Sequence, residues 1–225
     1  TVVPAMRIDI WSDVVCPFCW IGKRHLEAAL EAFRSEHPGT EVEVVWRAFE
    51  LDSAAPRHGE RGDEESAAQM LSRKYGMTLT EAEAGQEQMA DRFRELGLGY
   101  DWRSSRVSST FDAHRLAALA ADHDLADQVD EALRRAYFTN GERLSDPEVL
   151  RRIGVRAGLP ADAVDGMLTG DGFGDRVRDD TEAARGIGVT GVPFFVFDGR
   201  LAVSGAQPVE VFGQALEQAL VGRQP

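Results

Sequence analysis

Apolar and polar side chains alternate from Met6 to Trp11 (Met-Arg-Ile-Asp-Ile-Trp), the period of a half-buried strand, and Ser12-Asp13 follows with turn chemistry. Beyond the turn the period lengthens. Ile21, Leu26, Ala29, Leu30 and Phe33 fall on one face of a helix that Pro17 opens, since proline has no N–H to lose at the first helical position. A turn at His37-Pro38-Gly39-Thr40 leads to a β-rich run through Val42, Val44, Val45 and Trp46, ending at about Phe49. Strand, helix and strand in succession form a βαβ unit, whose two strands are expected to be parallel with a right-handed crossover.

Glu50 to Gly62, with Pro56 and Gly59, reads as a loop. From Asp63 to about Gly188 the strand signal nearly vanishes and helix start and stop signals recur. Asp63 is expected to cap a helix ending near Gly76, and Thr80 with Glu83 to form the capping box of one ending near Gly97. Ser109 or Thr110 precedes a helix over Phe111 to His123, and another runs from Asp127 to Asn140 and stops at Gly141. Ser145-Asp146-Pro147 opens one that stops at Gly158, Pro160 opens a shorter one ending near Gly170, and the last runs from about Asp175 to Ile187. Two apolar runs, Phe194 to Phe197 and Leu201 to Val203, then flank Asp198-Gly199-Arg200 as a β-hairpin. Pro208 opens a final helix faced by Val209, Phe212, Leu216 and Leu220. An order of βαβ, then helices, then ββα predicts an α/β protein with a thioredoxin-like fold interrupted by a large all-helical insertion. Residues 1–62 and 188–225 would form the discontinuous thioredoxin-like domain, and residues 63–187 the inserted helical domain.

The only two cysteines of the 225 residues stand as Cys16-Pro17-Phe18-Cys19, at the first strand-to-helix turn. A thiolate at Cys16 would be favoured by the unpaired N–H groups and the positive end of the helix dipole, so this thiol should ionise more readily than a free cysteine. Cys16 is therefore the candidate nucleophile, and Cys19, one helical turn on, the candidate resolving thiol. Attack on a disulfide sulfur, a mixed disulfide and release by the second thiol would follow in that order. C-x-x-C beside a βαβ pattern is the sequence mark of such chemistry. The competing readings are two structural cysteines, a structural disulfide, and a zinc site. The last lacks a second C-x-x-C or an H-x-x-x-H pair to complete four ligands, so no metal is expected.

Composition narrows the class. Hydrophobic residues at 43% and charged residues at 28% describe a globular chain with core enough to fold without a disulfide. No apolar run approaches the length of a membrane span, and the segment from Thr1 to Met6 lacks the charged-then-apolar mark of a secretory signal, so a cytoplasmic location is expected. A formal charge of −13 argues against nucleic acid or an anionic membrane as partner and is read as solubility. The expected partners are protein or small-molecule thiols and disulfides, with no resident cofactor, glutathione as a possible co-substrate, and a monomer or homodimer as the assembly.

Gly191-Val192-Pro193 lies just before the third strand, where a proline commonly marks a strand start or edge. In a thioredoxin fold this position carries a cis-proline facing the dithiol, so Val192–Pro193 is expected to be cis, with the Val192 backbone free to pair with an extended peptide or a glutathione-like substrate. Phe18 is read as part of the substrate surface. It carries no charge, so a thiolate-stabilising group that a histidine would supply between the cysteines is missing. Asp13 has two readings, a proton relay to the buried thiol or a turn bond, and the turn role comes first. Lys23 and Arg24 read as solvated. His114 is a candidate facing the dithiol from the insertion, against the blander reading of a surface or satisfied core histidine beside Arg115.

Four segments carry a resemblance. Ile10-Trp11-Ser12-Asp13-Val14-Val15-Cys16-Pro17-Phe18-Cys19-Trp20-Ile21-Gly22, Thr110-Phe111-Asp112-Ala113-His114-Arg115-Leu116, Tyr137-Phe138-Thr139-Asn140-Gly141 and Gly188-Val189-Thr190-Gly191-Val192-Pro193-Phe194-Phe195, with Ser204-Gly205-Ala206-Gln207 beside them, resemble the FrnE-like branch of the DsbA family over nearly the whole chain. The resemblance implies a thioredoxin fold with an inserted helical domain, thiol-disulfide oxidoreductase activity at Cys16 and Cys19 opposite Pro193, and cytoplasmic placement. Some relatives carry a second cysteine pair, and this chain has none. Two other classes share the architecture or the surface. Kappa-class glutathione transferases and 2-hydroxychromene-2-carboxylate isomerases typically have serine where this chain has Cys16, and a peptide-binding chaperone-like module would use the apolar surface around Phe18 and Pro193 with the dithiol incidental.

Overall fold

The computed structural model describes residues 5–223, so the reading of the first residues as free of a secretory signal lies, for residues 1–4, outside the described residues. In chain order the elements are β1 (Met6–Ser12), α1 (Pro17–Glu36), β2 (Val42–Ala48), α2 (Ala67–Tyr75), α3 (Leu79–Glu95), α4 (Phe111–Ala121) and α5 (Ala126–Arg134). After them come α6 (Pro147–Ala157), α7 (Ala161–Thr169), α8 (Gly174–Gly186), β3 (Phe194–Phe197), β4 (Leu201–Ser204) and α9 (Val209–Val221). Two compact units result, one holding the chain up to Leu51 and from Asp179 onward, the other Asp52–Arg178.

The first unit is built on a four-stranded sheet in the order β2-β1-β3-β4. β1 runs parallel to β2 in the register Ile8↔Val44 and Ile10↔Trp46, and antiparallel to β3 in the register Ile8↔Phe197 and Ile10↔Phe195. β3 and β4 close the hairpin through Asp198 (φ 50°) and Gly199 (φ 66°), two successive left-handed residues that match the twist of the strands. Asp198 tolerates that backbone because its carboxylate accepts the Arg7 N–H at 2.8 Å and pairs with Arg223 at 2.9 Å.

Alternation in the strands sorts the two sheet faces. Met6, Ile8 and Ile10 of β1 with Phe195 and Phe197 of β3 meet Leu26, Ala29, Leu30 and Phe33 of α1 and Phe212, Ala215, Leu216 and Ala219 of α9. The Phe195 and Phe212 rings stand edge to face at 4.7 Å in the middle of this layer. On the opposite face Trp11 packs with Ala184, Val189, Phe194 and Val196.

The boundary of the sheet unit falls inside α8 instead of at the strand start, because Asp180 is bonded into the sheet. Its backbone carbonyl accepts from Trp11 Nε1 at 2.8 Å, and its carboxylate accepts from Ala48 N at 3.0 Å and Arg47 Nη1 at 2.9 Å.

The helical unit follows the expected start and stop signals with two corrections. α2 is capped by Ser66, not Asp63: Ser66 and Gln69 make a reciprocal capping box, while Asp63 accepts from Gly59 N at 2.9 Å and pairs with Arg143. α3 starts two residues earlier than Thr80 with Glu83 would place it, on a box of Thr78 with Glu81, because α2 ends at left-handed Gly76 and leaves only Met77 before the cap. The segment expected as one helix up to Asn140 is α5 followed by a π-helical turn, Arg135–Thr139, that starts beside the fully buried Arg134 and its Asp130 partner at 2.9 Å.

Asp9 on β1 gives a measurable pH dependence. Burial alone pushes its carboxyl upward, but hydrogen bonds from Arg7 and Arg47 outweigh that and hold it below the usual 3.8. A depressed folded-state pKa contributes stability that is present above the unfolded value and lost as pH falls through the folded one. Chemical unfolding below pH 4 should therefore lose stability that an Asp9→Asn variant does not lose, and parallel curves for the two proteins would refute the assignment.

Candidate active site

Cys16 occupies the N-cap of α1 in extended conformation (φ −85°, ψ 116°), with Pro17 at the first helical position. Its N–H donates to the Asp13 carbonyl at 3.2 Å and its carbonyl accepts from Cys19 N at 3.1 Å, so both cysteines are fixed to one tight turn. No acidic side chain lies in the first turn of α1, and the positive helix end acts on the sulfur without a like-charge competitor there. Cys16 is 4% exposed and Cys19 1%, whereas Phe18 between them is 44% exposed. Both sulfurs are free thiols.

The expected third component stands opposite. The Val192–Pro193 peptide bond is cis, and the Cys16 thiol donates to the Val192 carbonyl with Sγ and O 3.7 Å apart. That bond is made by the thiol and lost by the thiolate, so it favours the protonated form and opposes the helix end. Pro193 is held from behind. Its carbonyl accepts from Gly205 N at 2.8 Å, and Gly205 adopts φ 81° to make the approach. His25 of α1 uses Nδ1 on the Gln207 carbonyl at 2.7 Å, tying the cysteine-bearing helix to the same turn.

Gly22 is the residue that sequence reasoning passed over. A Cβ there would stand 3.1 Å from Pro193 Cγ, 3.2 Å from Phe195 Cζ and 3.5 Å from Ala206 Cα. A helix-interior glycine was the available signal, since it costs about 1 kcal/mol relative to alanine and calls for a packing reason. The Ser204-Gly205-Ala206-Gln207 segment gains its physical meaning here as the backing of Pro193.

Of the polar neighbours, Asp13 is buried and its carboxylate accepts from Leu51 N at 2.8 Å, the loop-bonding role placed first. The expectation that Lys23 is solvated is corrected. Its side chain is 2% exposed, because the ammonium lies 4.8 Å over the Trp46 ring and pairs with Glu27 at 3.4 Å, burying the aliphatic stem on the sheet. Arg24 keeps partial exposure, pairing with Glu27 at 2.6 Å and lying 5.7 Å over Trp20. His114 belongs to the helical unit, in the first turn of α4, where it is buried.

The sequence profile of the DSBA-like thioredoxin domain matches residues 7–217, which includes the cysteine turn, Pro193 and every strand but the first residue of β1. The chain belongs to the DsbA-like thioredoxin family. As a member of the DsbA family it is a disulfide oxidoreductase. A Streptomyces coelicolor protein described as a "probable DsbA oxidoreductase" is 41% identical, with 98% of this chain and 92% of that chain covered and a TM-score of 0.89. The cytosolic disulfide reductase DsbM of Pseudomonas aeruginosa shares the fold at 20% identity, 96% and 98% coverage and TM-score 0.63, and a structure of it with GSH matches at 0.60. A 2-hydroxychromene-2-carboxylate isomerase shares the fold as well, at 13% identity, 96% coverage of each chain and TM-score 0.63.

Gly22 yields a test against a control. Ala is about 1 kcal/mol better than Gly in a helix interior, while forcing a methyl group into a filled core costs roughly 1–3 kcal/mol. Gly85 of α3 has nothing within 4 Å of its would-be Cβ. Gly85→Ala should therefore raise the unfolding midpoint and Gly22→Ala lower it in urea titrations. A Gly22→Ala protein as stabilised as Gly85→Ala would show that the helix does not press on Pro193.

Proposed function

We propose that the chain carries out thiol-disulfide exchange with Cys16 as nucleophile and Cys19 as resolving thiol, on protein or small-molecule disulfides. The observation that carries this reading is a buried dithiol at a helix N-terminus, with the Cys16 sulfur against the Val192 carbonyl. In the proposed cycle the Cys16 thiolate attacks one sulfur of the substrate disulfide, and the other sulfur leaves as a thiolate that takes a proton. Cys19, deprotonated, then attacks the Cys16 sulfur, forms the Cys16–Cys19 disulfide and releases the second substrate thiol, so two electrons pass from dithiol to substrate. A cellular thiol or dithiol returns the enzyme to its reduced form.

Phe18, Val192 and Pro193 form the proposed substrate surface, Phe18 by its exposed ring and Val192 by the backbone carbonyl that an incoming peptide N–H would take over from the thiol. The name of DsbM, a cytosolic disulfide reductase also known with GSH, supports a reducing compartment, a reductase direction and glutathione as a co-substrate. Among the described residues no helix is long and apolar enough to cross a membrane, which fits that placement. Retention of both cysteines favours redox chemistry over the isomerase class that shares the fold. Within the DsbA family, the FrnE-like branch is the one this reading assigns.

Insulin reduction by the full chain should be readily measured for the wild type, fall to the uncatalysed rate in Cys16→Ser, and give a trapped mixed disulfide in Cys19→Ser. Activity surviving in Cys16→Ser would overturn the nucleophile, and a glutathione-dependent isomerisation or conjugation surviving in it would assign the isomerase class instead. The potential supplies a separate check. The Phe18 side chain carries neither charge nor a polar group, so the Cys16 thiolate lacks the help that a histidine between the cysteines would give, and the reduced form should be less stabilised than in DsbA, which is strongly oxidising at about −120 mV. Equilibration with glutathione should give a more negative value, and one at DsbA's level would refute the argument.

A further inference from the structure

Away from the dithiol, the last turn of α1 and the middle of α9 bring together two carboxylates and an imidazole. Glu36, His37 and Glu217 each present a ligand atom, all within 4.8 Å of one another. We propose that these three side chains bind a zinc-like divalent cation. His37 Nε2 already lies 2.8 Å from Glu217 Oε1, so a hydrogen bond fills the place a metal would take. Zinc sits about 2.0–2.2 Å from nitrogen and oxygen ligands, which puts neighbouring ligand atoms roughly 3–3.5 Å apart. The bridge opens by less than about 1 Å, and rotation of the exposed Glu36 side chain closes the third position.

Four features favour the cation over the bare hydrogen bond. Glu36 makes no ion pair among the described residues, and its carboxylate and that of Glu217 bring two anionic oxygens to one imidazole. The cluster sits at the C-terminal end of α1, where unpaired carbonyls carry partial negative charge. The imidazole is pre-positioned, its ring tilted 45° against Phe33 at 4.7 Å and its backbone N–H donating to the Phe33 carbonyl at 2.8 Å. His37 also lines an open surface cleft of about 560 Å³ with Arg34, Thr40, Glu41 and Glu43, so one side of the imidazole's surroundings is open to solvent. One nitrogen and two carboxylate ligands suit zinc better than calcium or magnesium, and three protein ligands leave a position for water. Because the ligands come from α1 and α9, the bound ion clips the two helices that cover the sheet.

The test uses the full chain carrying Cys16→Ser and Cys19→Ser, which has no thiol to take zinc, so that the outcome is independent of the redox assignment. Calorimetric titration with Zn²⁺ should saturate at one equivalent, and the ion should raise the melting temperature. His37→Ala and Glu217→Gln should each weaken binding by more than the roughly 10–100-fold that loss of a mere outer-sphere partner costs, and abolish the thermal shift. Glu36→Gln alters an exposed residue that pairs with nothing among the described residues, so it should fold and weaken binding as well. No saturable binding by the wild type, or affinity unchanged in Glu36→Gln and His37→Ala, overturns the site.

Discussion

The close approach of α1 to the start of β3 is the constraint on which the rest of the sheet unit depends. At Gly22 the helix comes so near Pro193 and Phe195 that an added methyl group would stand 3.1 Å and 3.2 Å from their ring carbons and push them aside, and Cys16, earlier in the same helix, lies against the Val192 carbonyl. The apolar layer of Leu26, Leu30 and Phe33 against Phe195, Phe197 and Phe212 supplies the force that holds the helix down. The His25–Gln207 hydrogen bond ties the helix to the turn whose Gly205 N–H holds the Pro193 carbonyl. The placement of the cysteine turn thus rests on packing at the second turn of the helix.

Much of this was legible in the sequence, because the deciding signals are local. Proline after Cys16, period-2 alternation in Met6 to Trp11 and the hairpin around Asp198-Gly199 each act through their own backbone, and the strands and helices they specify formed where expected. The helix caps show the limit. Thr78 with Glu81 and Thr80 with Glu83 satisfy the same spacing rule, and only the end of α2 at Gly76 decides between them. Ser66 was passed over for Asp63 for a similar reason, since either residue type caps well.

Long-range contacts were illegible. Nothing near Lys23 in sequence announces that its ammonium finds Trp46 from a neighbouring strand, and a lysine in a helix reads as solvated by default. Arg47, Asp9 and Asp180 form one charge network from three distant segments, and His37 meets Glu217 across 180 positions. In each case the charged group is placed by the packing of elements the sequence did predict, so the missing information was the tertiary pairing and not the elements themselves.

The near-complete burial of both sulfurs bears on durability. Conversion of a thiol to sulfinic or sulfonic acid requires successive encounters with oxidant, and susceptibility follows exposure as well as thiolate character. A cysteine that is 4% exposed and bonded to a carbonyl while reduced meets peroxide rarely, and a sulfenic acid formed there has Cys19 beside it in the same turn to condense with. The architecture that places two cysteines in one buried turn therefore also guards them against irreversible damage.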